Sequence, residues 1–129
     1  VSRYLLDTHA VLFWWGNASK LGLEARQAIA DPEAILLVSS ASAWEIAIKY
    51  RLGKMGDIGD PAVQYRQLMA RNGFQDLPIT MADGLLAGTL PGRHGDPFDR
   101  IIAAQALANE LIVITRDKEI AGFGCKVLW

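Results

Sequence analysis

Short apolar runs alternate along the chain with stretches in which apolar residues recur every third or fourth position. The first run, residues 3–6, predicts a short strand, and HAVLFWWG begins a helix directly after it. Helical spacing continues through LGLEARQAIAD, where Leu21, Ala25, Ala28 and Ile29 share one face, until Asp31 and Pro32 end it. Residues 35–38 are apolar without alternation, the pattern of a strand covered on both faces of its sheet. A helix follows in SAWEIAIKYRLG, with Ser39, Ser40 or Ser42 as candidate cap and Gly53 as its stop. After the loop KMGDIGDP, Asp60 and Pro61 open a helix over 61–72 that ends at Gly73. DLPI is a third short strand, residues 80–87 form a small helix, and LPGRHGDP is a Gly- and Pro-rich loop of the kind that rims sites. Asp96 and Pro97 then open the long helix DPFDRIIAAQALANE, LIVIT supplies a central strand and KVLW an edge strand.

Strands alternating with helices predict an α/β fold, a parallel sheet with helices wound onto both faces. Neither repeat nor linker divides the chain, so one domain over 1–129 is expected. A hydrophobic fraction of 51% with 21% charged residues supplies a core and excludes a disordered chain. The lone Cys125 has no partner for an internal disulfide, and no apolar run approaches the ~20 residues of a membrane span. A cytoplasmic location is the expectation.

Acidic residues stand where this alternation turns from strand to helix. Asp7 closes the first strand, Glu45 lies one turn inside the helix after the second, Asp99 falls in the first turn of the long helix, and Asp117 follows LIVIT. In a parallel sheet all four gather at the carboxyl edge, where open α/β folds place their ligands. Carboxylates in one cleft repel each other, and a hard divalent cation relieves the repulsion. Each acid also has a structural reading. Asp7, Asp96 and Asp117 suit helix caps, Asp99 suits a dipole-stabilised first turn, and Glu45 is spaced to pair with Lys49. Glu45 nevertheless sits among Ala43, Trp44, Ile46, Ala47 and Ile48, so its helix is expected to be buried on most sides, where an acid needs a strong partner.

Hydroxyls accompany the acids: Thr8 beside Asp7, Ser39 and Ser42 before Glu45, and Thr115 before Asp117, suited to orienting carboxylate ligands. His9 and His94 lack paired zinc spacing, and His94 is a candidate substrate contact. Net charge is −1, but Lys49, Arg51 and Lys54, then Arg93 and Arg100, then Arg116 and Lys118 flank the acids as a basic rim suited to phosphate. The absence of GxGxxG, GxxxxGK[ST] and GxSxG argues against dinucleotide, P-loop and serine-hydrolase chemistry.

In LLDTHAVLFWW, SSASAWEIAIKYRLGK, HGDPFDRIIAAQALANE and LIVITRD the chain resembles the PIN-domain ribonucleases, and within them the VapC toxins of toxin–antitoxin pairs. The second and third segments are the specific ones. The resemblance implies a three-layer sandwich with a central five-stranded parallel sheet, Mg²⁺ or Mn²⁺ dependence, and endonucleolytic cleavage of RNA. It also implies a cognate VapB-type antitoxin in the active groove and a homodimer. Asp7, Glu45 and Asp99 would then hold the first metal directly or through its waters, Asp117 a second or weaker one, with Asp96 secondary and Thr8, Ser39, Thr115 and Arg93 supporting. Trp14, Trp15 and Trp44 would offer the antitoxin aromatic anchors. Two alternatives come from other classes. A phosphoryl-accepting receiver- or phosphatase-like domain also has an acid after its first strand, and a catalytically silent interaction module would use the acids only as caps.

Overall fold

A computed structural model describes residues 1–56 and 59–129. The expected loop KMGDIGDP includes Asp57 and Ile58, which lie outside the described residues. Five parallel strands, β1 Arg3–Leu6, β2 Ile35–Ser39, β3 Gln75–Leu77, β4 Ile112–Ile114 and β5 Val127–Leu128, form one sheet in the order β3-β2-β1-β4-β5. The helices are α1 Thr8–Gly16, α2 Leu23–Ala30, α3 Ser40–Arg51, α4 Pro61–Asn72, α5 Met81–Thr89, α6 Pro97–Asn109 and α7 Lys118–Gly122.

The unbroken apolar character of the strands follows from what covers them. Side chains alternate across a strand, and here Leu6, Leu36, Val38 and Ile114 face a core shared with Val11, Ile29, Ile46 and Leu68. Their neighbours Leu5, Leu37 and Val113 face the opposite side, against Ile102, Ala106 and Ile120. The register pairs Leu5 with both Leu37 and Val113, so matched layers meet across three strands. A further cluster under α5 joins Ala87 and Leu90 to Ala103 and Ala104 of α6.

Strand order decides where a cleft opens. From β1 the chain steps outward through β2 to β3, then returns to β4 on the other side of β1. The connections after β1 and β4 therefore leave in opposite senses, and a crevice opens between the carboxyl ends of these two strands. Asp7 follows the first and Asp117 the second.

Most expected elements stand, with four adjustments. The single helical stretch over residues 9–31 is instead broken: α1 ends at Gly16, Asn17 leaves helical geometry, Ala18–Lys20 makes one 3-10 turn, and α2 starts after Gly22. Gly22 lies so close to Trp129 that a Cβ there would stand 2.5 Å from the Trp129 carbonyl carbon. The start of α2 is thus fitted to a contact far away in sequence. β3 stops at Leu77 because Pro78 has no N–H for the ladder. α5 runs on to Thr89, held at its start by a reciprocal cap between Thr80 and Asp83. Finally, α3 is buried on one face only, through Ala41, Ser42 and Ile46, while Trp44 is 63% exposed. The apolar surroundings expected around Glu45 are therefore one-sided.

Candidate active site

Asp7 enters the crevice at a point set by both its strand and its helix. One carboxylate oxygen, Oδ1, accepts the Ala10 N–H at 2.7 Å and caps α1. The other, Oδ2, accepts the Thr115 hydroxyl at 2.5 Å. Thr115 Oγ1 in turn accepts the Asp117 N–H at 3.0 Å, so the hydroxyl proton is directed onto Asp7. This relay joins the ends of β1 and β4. Asp7 is only 4% exposed, and burial pushes its carboxyl up while the two hydrogen bonds pull the other way. Asp117 adds to the upward push.

Asp99 projects from the first turn of α6, which Asp96 caps by accepting the Phe98 and Asp99 N–H groups at 2.9 and 3.2 Å. With Pro97 as the first helical residue, the motif fixes where the Asp99 side chain emerges. Its Oδ2 meets His94 Nε2 at 2.9 Å. Burial raises the Asp99 carboxyl to about 6 against the pull of the His94 hydrogen bond, with Asp96 and Asp117 adding to the rise. His94, held by the same bond, is raised above the ordinary imidazole value. Its other nitrogen lies 4.0 Å from Glu119. Ligand atoms of His94, Asp99 and Asp117 all fall within 4.8 Å of one another.

Of the four acids, Asp99 and Asp117 are thus brought into one group, and Asp7 touches it through Thr115 and the field of Asp117. Glu45 stands apart. Its helix is positioned by Ser39, whose hydroxyl accepts the Ala41 N–H, and by a 2.9 Å bond between the Thr8 and Ser42 hydroxyls. Glu45 lies one turn beyond Ser42, half-buried and outside the group of His94, Asp99 and Asp117. Among the described residues it forms no ion pair, so the expected link to Lys49 is absent.

The basic rim divides. Arg93 and Arg116 are exposed. Arg100 is not a rim cation: it donates to the carbonyls of Ala87 at 2.7 Å, His94 at 2.8 Å and Leu90 at 2.5 Å. Its guanidinium also covers the Phe123 ring at 5.1 Å. Asp96, four residues earlier, is spaced to pair with Arg100, but no such pair forms: a planar fork of donors instead spans three converging carbonyls. Arg100 therefore holds the loop that delivers His94 to Asp99. Sequence reading placed His94 on that loop without connecting it to the acids. The signal was its spacing, five residues before Asp99 with a helix cap between.

The donor set suits a divalent cation. A small hard ion takes oxygen ligands, which Asp99 and Asp117 would supply. His94 hydrogen-bonds the Asp99 carboxylate at 2.9 Å and would orient it. Carboxyls driven up by burial and by each other are the ones a cation would return to the charged form. A separate groove of about 770 Å³ lies between α3 and α4 and is walled mainly by apolar residues such as Ala47, Met69 and Phe74.

A parallel five-stranded sheet with acids at its switch point defines the class, and comparison agrees: residues 4–124 match the PIN domain, the family to which this chain belongs. Within the family the likeness is to VapC ribonucleases. Ribonuclease VapC22 of Mycobacterium tuberculosis is 28% identical over 121 residues, 93% of this chain and 91% of that protein. Ribonuclease VapC16 of the same organism is 41% identical over 59 residues, 46% of this chain and 42% of that one. Among solved structures, VapBC2 from Rickettsia felis, bound to a promoter DNA fragment, superposes with a TM-score of 0.72 at 13% identity, covering 98% of this chain and 97% of that one. VapBC-1 from nontypeable Haemophilus influenzae gives 0.64 at 20% identity, over 98% and 96%. At these identities the structures show the fold.

Proposed function

We propose that the protein is a metal-dependent endoribonuclease, the toxin of a toxin–antitoxin pair, acting as a single PIN domain. The observation that carries this reading is the group of His94, Asp99 and Asp117 beside the buried Asp7 at the β1/β4 crevice. Asp99 and Asp117, with Asp7 and the outlying Glu45, would hold Mg²⁺ or Mn²⁺. When bound, such an ion activates a water and stabilises the leaving oxygen of a phosphodiester. The chain's own part is positional. Thr115 fixes the rotamer of Asp7, Asp96 sets where Asp99 emerges, and Arg100 holds the His94 loop. Exposed Arg93 and Arg116, with Lys49, would grip the RNA backbone, and hydrolysis would leave a 5′-phosphate and a 3′-hydroxyl.

The phosphoryl-accepting alternative is less well supported, because both Asp7 oxygens are engaged and the residue is buried. A silent module leaves the assembly of His94 with two acids without a purpose. A VapB-type antitoxin is the expected partner. Trp14 and Trp15 pack partly buried against the core, so the aromatic anchor left to it is the exposed Trp44, with the groove between α3 and α4 beyond it. A homodimer is proposed by family likeness. Purified protein should cut single-stranded RNA with Mg²⁺ or Mn²⁺, lose activity in EDTA, and lose it in Asp7→Asn or Asp99→Asn, the double variant adding little. Full cleavage by either single variant would overturn the assignment.

A further inference from the structure

Beside Asp117 an open pocket of about 300 Å³ lies between the start of α7 and the end of β5. Ala121, Leu128 and Trp129 supply apolar walls, and Thr115, Arg116 and Asp117 form the edge shared with the acids. The Arg116 guanidinium lies 5.3 Å from the Phe13 ring centre and 5.8 Å from that of Trp129. These two rings meet edge to face at 6.2 Å, and the Lys20 ammonium stands 5.6 Å over Phe13. A track of alternating cations and aromatic rings thus leads from α1 into the pocket. Trp129 is held there by main-chain contact with Gly22, where any side chain would collide.

We propose that this pocket seats one unstacked nucleobase of the RNA, laid against the Trp129 ring, while Arg116 and Lys20 hold the adjoining phosphates. The inference rests on the ribonuclease reading and deepens it. Single strands are held where a positive track runs beside aromatic faces, since every base has a face to stack and every link a charge. RNA is read through bases splayed out of the helix, which a paired strand cannot offer. Because Asp117 belongs both to the acid group and to the pocket wall, a base seated here lies next to the phosphodiester that is cut. Strand preference and local base preference would then be set at this pocket.

The test uses the inactive Asp7→Asn protein and an unstructured RNA oligonucleotide in which each position in turn is made abasic, with binding followed by fluorescence anisotropy. One abasic position should weaken binding roughly 5- to 100-fold, the range for loss of one base–aromatic stack. Trp129→Ala should cost a similar factor and abolish that penalty, whereas Trp129→Phe should keep it. An abasic penalty that persists unchanged in folded Trp129→Ala would overturn the proposal. If that variant does not fold, Ala121→Leu, which narrows the pocket from the opposite wall, must remove the penalty, and its persistence there is equally fatal. Cleavage by the unaltered protein is measured in parallel. Cleavage with no effect at Trp129 refutes the base pocket alone, while absence of both cleavage and binding refutes the ribonuclease reading with it.

Discussion

Replacing Arg100 by Ala separates a structural cation from a substrate-binding one. The side chain makes three charge-assisted bonds, to Ala87, His94 and Leu90, in a half-buried setting. Such bonds are worth about 1.5–3 kcal/mol each, but carbonyls near the surface recover water, so the three together come to about 3 kcal/mol. Against a total stability of roughly 5–15 kcal/mol this is a large share, and for a chain of this length it lowers Tm by about 10 °C. Arg100→Lys should recover less than half, because a single ammonium cannot span three carbonyls. Thermal unfolding followed by circular dichroism gives the Tm. Binding of RNA to the inactive Asp7→Asn background at several salt concentrations gives the second reading, whose slope should be unchanged. A Tm within about 2 °C of the parent, or a slope reduced by about 0.7, the loss of one single-strand phosphate contact, would refute the reasoning.

Thr115→Val should destabilise the fold by about 2 kcal/mol, since a buried carboxylate loses its donor and the Asp117 N–H its acceptor; it should also cut cleavage more than tenfold, and Thr115→Ser should restore both. In excess EDTA, Asp99 titrates near 6 when folded against an ordinary 3.8 when unfolded. The folded state then binds the extra proton, so this group's contribution falls by on the order of 2 kcal/mol as pH rises from about 4 to about 6. The raised His94 acts with the same sign, losing its contribution as pH rises through its folded value. Urea midpoints across this range should fall more steeply in the parent than in Asp99→Asn, where the raised Asp7 still contributes a fall of its own. Arg93→Ala should weaken RNA binding for all sequences alike and lower the salt slope by about 0.7; an unchanged slope removes Arg93 from the substrate path.

Local chemistry made much of this molecule readable before its fold was known. Asp60-Pro61 and Asp96-Pro97 announce helix starts through a capping oxygen and a fixed φ, and both helices begin there. Gly73 announces a helix end because it takes the left-handed conformation. Asp7 and Asp117 were legible as acids after apolar runs because parallel strands deliver their ends to one edge. What stayed hidden depends on contacts distant in sequence. Gly16-Asn17 signals the end of α1 locally, but nothing near Gly22 foretells its contact with Trp129, and the spacing of Arg100 suggests an ion pair where the folded loop offers three carbonyls. The exposure of Trp44 is likewise invisible in an apolar stretch, since its ring finds Phe98 at 5.0 Å on another helix.

The central place of β1 bears on how the site comes apart. β1 is hydrogen-bonded on both sides, to β2 and β4, so Asp7 is rooted where opening requires the sheet itself to separate. His94 arrives on a loop secured largely by one side chain. Amide exchange should therefore be slowest in β1 and much faster over residues 92–95, since local opening draws on the least packed segments. Opening of that loop would part His94 from Asp99 while the acids on β1, α6 and β4 keep their places. The centre thus has a rooted part, the acids, and a removable one, the imidazole that hydrogen-bonds Asp99.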